Sequence, residues 1–538
     1  MTSAEMEFPL GTIKLEELTR SHAEIILHPT PTDDPNDPLN WSRWRKAINF
    51  SLVNFYVLMT FVLVDIGVVA YGPYADIGIS YGTINDGWAL NYAGLAVGCI
   101  LFIPFVYKYG RRPVYLFSML FQMASTIWNA KLNSGGELLA AYCLAGLGGA
   151  ISETIVQITI TDLFFVHQRA TANGIFITMQ NVGSYLGPVA AGYVVTGQGW
   201  RWMWWWSAII LAINLVLVIF FFEETSYTPN LIGHDATTFE DTDEQHPKSI
   251  DANGPSVKPK EFSGQNDDQA ANVHDSVTSV ERQDRYKPRT YRERMAFITR
   301  SPETEHEFKR HFYQPAIILF TFPAVLYAAI AYGTLLSWYS VLSTVESENF
   351  LHAPYNWNAS QIGLFNLSPF IGSVVGAIIG GPLNDKAIMW LARRNDGIYE
   401  PEMRLWMAIP TIIICPAGIL IFGIGLAHGS SWVLVAFGWG IFTLGSAMAM
   451  DVALTYIIGD AIVGVVFVRN SISIIIQFAV TPWIDSIGVQ NVHINVAVLA
   501  FFFQLATIPL LIWGKKARMA TTNKYIEMSG RQMSSRRP

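Results

Sequence analysis

Charge is scarce in this chain. Only 14% of the residues are Asp, Glu, Lys or Arg, and the balance leans acidic, with a formal net charge of -7. A protein without a basic surplus is poorly equipped to neutralise a phosphate backbone, which argues against nucleic acid as a partner. Cysteine is nearly absent. Cys99, Cys143 and Cys415 each sit inside an apolar run, and an odd count so placed gives neither a disulfide framework nor metal-ligand spacing. None of the 11 histidines pair at metal-ligand spacing within an apolar run, and no Gly-x-x-x-x-Gly-Lys-Ser/Thr phosphate loop occurs. No metal and no cofactor are therefore expected, and a membrane enzyme is disfavoured. The polar N-terminus lacks the basic and short apolar regions of a cleavable signal peptide, so the first apolar run is expected to act as its own insertion signal.

Apolar residues are abundant instead. They make up 51% of the chain, with 17 Trp and 32 Phe, and the mean hydropathy is +0.30. That composition suits lipid-facing area and interfacial aromatic belts. Crossing a bilayer takes about 20 apolar residues. Six such runs precede residue 226: Ala47–Tyr71, Trp88–Tyr107, Val114–Lys131, Leu138–Phe164, Ala172–Thr196 and Trp202–Phe222. Six follow residue 310: Tyr313–Leu342, Ile362–Leu383, Leu405–Leu426, Trp432–Ile458, Gly464–Ile487 and Val492–Trp513. The predicted fold is all-α and polytopic, with twelve transmembrane helices in two halves, 47–225 and 311–514. A cytosolic tail (1–46), a polar central linker (226–310) and a basic tail (515–538) complete the chain. The linker is rich in Asp, Asn, Ser, Thr and Pro, acidic at first and basic at its end, and its composition predicts disorder. Residues 33–46 read as a solvated tail with an interfacial anchor.

Charge placement tests the count of spans. With both ends in the cytosol, the inner loops carry Lys108, Arg111, Arg112, Arg169, Lys386, Arg393, Arg394 and Arg404, against little beyond Lys131 and Arg201 outside. That is the positive-inside pattern of an even number of spans. Asn358-Ala359-Ser360 falls in an outer loop as a candidate glycosylation site.

Within the fifth run, Gly183-Ser-Tyr-Leu-Gly187-Pro188-Val-Ala-Ala-Gly192 would be costly in a water-exposed helix. In a bundle, Gly183, Gly187 and Gly192 allow close helix approach and Pro188 bends the helix. This stretch resembles the antiporter motif of the major facilitator superfamily. Lys108-Tyr-Gly110-Arg111-Arg112-Pro113, Gly146-Leu-Gly-Gly-Ala150, Gly199-Trp-Arg-Trp202 and Pro401-Glu-Met-Arg404-Leu405 match the same family. Together with residues 33–46, the last pentad is similar to a fungal drug:proton antiporter-type branch, some of whose members carry polyamines and other organic cations. The resemblance covers nearly everything from Asp33 to Lys516 outside the linker. It implies two halves rocking about a central site, a proton gradient as energy source, a small-molecule substrate, and a monomer in the lipid bilayer. The plasma membrane is the default address and the vacuolar membrane the alternative. Lys108, Gly110, Arg111, Arg112, Asp162, Arg169 and Arg404 are the expected gating-loop residues. Three family positions differ: Tyr107 stands where an acidic residue normally pairs with the basic cluster, Ile103 where a glycine is usual four residues earlier, and Tyr142 where the fourth helix often has an arginine.

Ionisable residues at membrane depth cost roughly 2.5–3.5 kcal/mol each on insertion scales and usually face a cavity. The candidates are Asp65, Glu153 and Asp451, with Arg469 placed near the cytosolic start of its span, so the buried charge is expected to be all acidic. One carboxyl can be neutralised by a proton or by a cationic substrate, and competition between the two gives exchange. Gln157, Gln180, Asn181, Tyr327, Tyr332, Asn366 and Gln477 are the candidate pocket residues, the tyrosines offering cation–π contact. The leading expectation is a proton-coupled exporter of a small organic molecule, a drug or secondary metabolite with cationic character. Its alternatives are a proton-coupled importer of polyamines or other organic cations, and a non-transporting sensor on a carrier fold.

Deleting residues 235–280 should leave transport within about twofold of the intact chain, because a disordered tether need only span its ends. Flux compared at matched surface amounts checks this, and a correctly located but inactive deletion would contradict it.

Overall fold

The structure, a computed structural model, describes residues 13–14, 34–227, 289–299, 305–395, 397–456 and 462–531. Nine helices among the described residues are long and apolar enough to cross a membrane. Three further crossings complete the set of twelve. Arg111–Lys131 carries charge at both ends, residues 166–198 are interrupted by a π-helical turn at Val182–Leu186, and Ile462–Leu505 is two helices joined at Gly488, whose φ of +79° breaks the ladder.

We label the first half α1 (Arg43–Asp76), α2 (Tyr81–Tyr109), α3 (Arg111–Lys131), α4 (Gly135–Leu163), α5 (166–198) and α6 (Trp200–Phe221). The second half is α7 (Pro323–Asn349), α8 (Ala359–Arg394), α9 (Pro401–Ala427), α10 (Trp432–Tyr456), α11 (462–487) and α12 (489–505). Side-chain oxygens start several of them: Ser42, Ser80, Ser134 and Asn358 accept from backbone N–H groups of the first turn. A two-residue antiparallel bridge, Ile13–Lys14 with Ile398–Tyr399, is the only strand pairing among the described residues.

Three expected boundaries change. Phe322 is extended and Pro323 opens a new helix, so Glu305–Thr321 is a separate element and α7 runs on to Asn349, seven residues past the predicted end. Residues 34–46 are folded against the first half rather than solvated. Asp34 and Asp37 are buried, Tyr227 donates to Asp34 Oδ2 at 3.0 Å, and Lys46 Nζ donates to the Leu39 carbonyl at 3.0 Å. Of the linker, residues 228–288 lie outside the described ones, but its end is not free. Residues 289–299 run across the face of the first half that carries the basic loops, where Arg289 N–H bonds Asn36 (2.8 Å), Tyr291 OH bonds the Phe220 carbonyl (2.7 Å), and Thr299 N–H bonds the Tyr109 carbonyl (3.1 Å).

Glycines set the helix spacing. A Cβ on Gly146 would lie 2.0 Å from the Asn91 carbonyl oxygen, so α2 and α4 are in backbone contact. The α5 motif packs in two directions: Gly183 and Gly187 face α1 at Leu58 and Val62, whereas Gly192 meets the Ala359 carbonyl of α8 in the other half. Gly363 of α8 returns the contact against the Pro188 carbonyl. At the same end of the bundle, Thr196 and Ser360 hydroxyls bond at 2.5 Å, Asn85 of α2 donates to Thr481 of α11 at 2.7 Å, and Tyr81 meets His352 at 3.4 Å. These contacts close the halves on the side opposite the basic loops.

Gly146→Ala should force α2 from α4 and cost about 1–3 kcal/mol. It should lower the thermal unfolding midpoint in detergent, whereas Gly136→Ala, whose Cβ meets nothing within 4 Å, should not.

Candidate functional site

Asp65 ends the regular part of α1, and the next five residues, Ile66–Ala70, tighten into a 3-10 turn before the helix resumes at Tyr71. That irregular turn lies at the boundary between halves. Asp65 is 4% exposed and lines a narrow gap, with room for about one water molecule, together with Tyr71, Trp88 and Tyr92 of the first half and Tyr339, Ser340, Ser343 and Thr344 of the second. No lysine or arginine is in this lining. Gln477, a predicted pocket residue, braces the far wall by accepting from Ser340 (2.5 Å) and donating to Thr344 (3.0 Å). Tyr339 is held edge-on by Tyr185 and Trp439. Cavities that enclose drug-sized ligands run to roughly 300–1,000 Å³, so this conformer is closed around Asp65 and an organic cation enters only when the halves part.

Glu153 departs from expectation. It is not an unpaired acid: Arg469 Nη2 pairs with its Oε1, Asn470 Nδ2 donates to its Oε2 at 3.2 Å, and both side chains are about nineteen-twentieths buried. Arg469 also donates to Tyr332 OH at 3.2 Å and to Asn470 Oδ1 at 3.0 Å. The expectation of an all-acidic interior failed because α11 begins at Ile462, and seven residues at 1.5 Å each carry Arg469 about 10 Å inward. A guanidinium reaches further still. The pair joins α4 of one half to α11 of the other. Asp451 is half-buried on α10 against Gly380 of α8 and does not line the Asp65 cavity. The three acids therefore do not form one site.

The remaining candidates divide. Tyr332 belongs to the Glu153–Arg469 cluster. Tyr327 OH bonds the Thr507 hydroxyl, a packing contact within the second half. Asn366 donates to Glu346 at 3.1 Å. Gln157, Gln180 and Asn181 are half-buried on α4 and α5 and do not line the cavity. Asn358 is exposed, and its side chain caps α8 through Gln361 N–H at 3.0 Å, so the candidate glycosylation residue is built into the helix start. Sequence reading missed Trp88, Tyr92, Tyr339 and Glu346. The seven-residue spacing of Tyr332 and Tyr339 on one face of α7 was the available signal.

On the face that carries the basic loops, the expected gating-loop residues fall into separate local contacts. Gly110 has φ +97°, and a Cβ there would strike the Glu224 carboxylate. Glu224 accepts from the Arg111 and Arg112 N–H groups at 2.9 and 3.0 Å, placing an anion on the N-terminus of α3. Arg111 Nε pairs with Asp162 at 3.0 Å, so Asp162 and Glu224 supply the acid that Tyr107 does not. Tyr107 stacks on His311 at 4.6 Å, and Lys108 lies 4.7 Å over the Phe308 ring. Arg169 donates to the Phe164 and Thr161 carbonyls, both at 3.1 Å, and Arg404 to Tyr399 OH at 3.0 Å. Tyr142 lies over Gly67 and packs edge-on against Trp88 of the cavity wall.

Comparison with known proteins agrees with this architecture. The sequence model of the Major Facilitator Superfamily matches residues 48–477. An uncharacterised MFS-type transporter of Schizosaccharomyces pombe is 33% identical, over 94% of this chain and 90% of the relative. Protein HOL1 of Saccharomyces cerevisiae is 28% identical over 96% and 94%, and the MFS antiporter QDR3 of Candida albicans 23% identical over 77% and 70%.

Arg469→Gln should destabilise the protein by about 3–5 kcal/mol, because it strands Glu153 in low dielectric. Adding Glu153→Gln should recover part of that loss, a coupling that unfolding midpoints of the two single variants and the double variant will report.

Proposed function

The chain belongs to the Major Facilitator Superfamily and is a transporter rather than an enzyme, and from that premise we propose that it exports a small organic cation in exchange for protons. The observation that carries this reading is the buried Asp65 carboxyl in an aromatic-lined space between the halves, with no basic side chain in the lining. A proton or a cation can neutralise that carboxyl, and each excludes the other. Tyr71, Trp88, Tyr92 and Tyr339 supply the ring faces that favour an ammonium group. The Glu153–Arg469 pair is the latch between halves, released and remade as the transporter alternates. The similarity to a protein named as an antiporter supports exchange. We place the transporter in the plasma membrane as a monomer, moving drugs or secondary metabolites of cationic character outward.

The purified protein in proteoliposomes should accumulate labelled tetraethylammonium or tetraphenylphosphonium when the lumen is acid, and a protonophore should collapse the accumulation. Asp65→Asn should reduce it at least tenfold at unchanged protein content. Undiminished accumulation by Asp65→Asn, or flux of neutral or anionic probes only, would overturn the reading. Net uptake driven by external acid would reverse the direction.

A further inference from the structure

Near its outer end α7 holds a carboxyl for which the exchange scheme has no use. Glu346 lies less than one turn beyond Ser343 and Thr344 of the cavity wall, yet is fully buried and does not itself line the cavity. Asn366 of α8 donates to Oε1 at 3.1 Å and is itself held by a bond to the Ile362 carbonyl at 3.2 Å. The other oxygen, Oε2, is equally buried and has no hydrogen-bond partner among the described residues. Among those residues no Lys, Arg or His forms an ion pair with Glu346. On its own helix the titratable residues on either side are Tyr339, two turns back, and Glu348, two residues on. A charged carboxylate so placed has no counter-ion and one amide donor, an arrangement that costs several kcal/mol.

Access to Glu346 is closed from the outside by rings. Phe350, whose N–H bonds the Glu346 carbonyl, stacks on Trp357 at 4.2 Å and meets Phe365 edge-on at 4.7 Å, and Phe365 leans on Trp439. Phe350 is 0% exposed. Glu346 is 0% exposed and its unpartnered oxygen is shut off from solvent, so the neutralising species must be small.

We propose that Glu346 is a second proton site, carried by the second half and loaded through the outer side when the Phe350 cluster parts. The role of that proton in transport rests on the exchange reading above, whereas its presence does not. The scheme then has separate stations: Asp65 where proton and cargo compete, and Glu346 where only a proton fits.

Infrared spectroscopy of the purified protein in lipid at neutral pH tests this without any cargo. Wild type should show a protonated-carboxyl carbonyl band that is missing in Glu346→Gln and present in Asp65→Asn. Asn366→Leu, which removes the donor to Oε1, should shift that band. Replacement of its proton by deuterium should be slow in wild type and at least tenfold faster in Phe350→Ala. An unaltered set of protonated-carboxyl bands in Glu346→Gln, or, if that variant does not fold, no shift in Asn366→Leu, would overturn the site. Unchanged exchange in Phe350→Ala would overturn the outer route. Loss of cation flux in the proteoliposome assay with this band intact would instead count against the exchange reading alone.

Discussion

The Glu153–Arg469 pair is the constraint on which the arrangement of the two halves depends. Two opposite charges in low dielectric attract strongly, but stripping them of water costs nearly as much, and the balance turns on the hydrogen bonds that remain. Here Tyr332 and Asn470 complete the set, one from α7 and one from α11. Such a cluster adds little net stability, yet it tolerates few geometries. It therefore selects a conformation rather than strengthening a fold, which suits a protein whose two bundles must hold one relation and later exchange it for another.

Around that bridge, packing is set by what the side chains omit. Where α2 meets α4, and where α5 meets α1 and α8, the glycines bring backbone to backbone. The π-helical turn at Val182–Leu186 precedes Pro188, and a second one at Ile379–Leu383 contains Pro382. Both helices that meet at the outer seal thus carry a local defect in the hydrogen-bond ladder beside a proline. Their ends can adjust without unravelling the turns that line the interior.

Much of this architecture could be read from the chain itself. Runs of about 20 apolar residues mark crossings because a bilayer sets the length, and Arg111, Arg112, Arg393 and Arg394 mark one face because basic residues stay on it. Gly183, Gly187 and Gly192 pointed to close contacts that the structure contains. The site was less legible. Arg469 and Glu346 both lie near the ends of their helices, where a shift of several residues decides whether a charge is in water or in the interior. For Glu346 the shift came from Pro323, which begins a helix where a continuous apolar run suggested none. Tyr339 and Trp88 are ordinary aromatic residues of apolar helices, and only the meeting of two distant segments makes them a wall. Glu224 fell between the last apolar run, which ends at Phe222, and the polar linker, although it caps α3 from more than a hundred residues away.

The segment 289–299 alters the mechanics of the joint between the bundles. The long polar stretch leaves the first bundle at Tyr227 and is moored to that same bundle again at Arg289. Further on, the helix Glu305–Thr321 also leans on α2, through His311 on Tyr107 and Phe308 on Phe105. The path into the second bundle is thus anchored on the first as far as this helix, and the extended Phe322 before Pro323 is the point about which the second can swing.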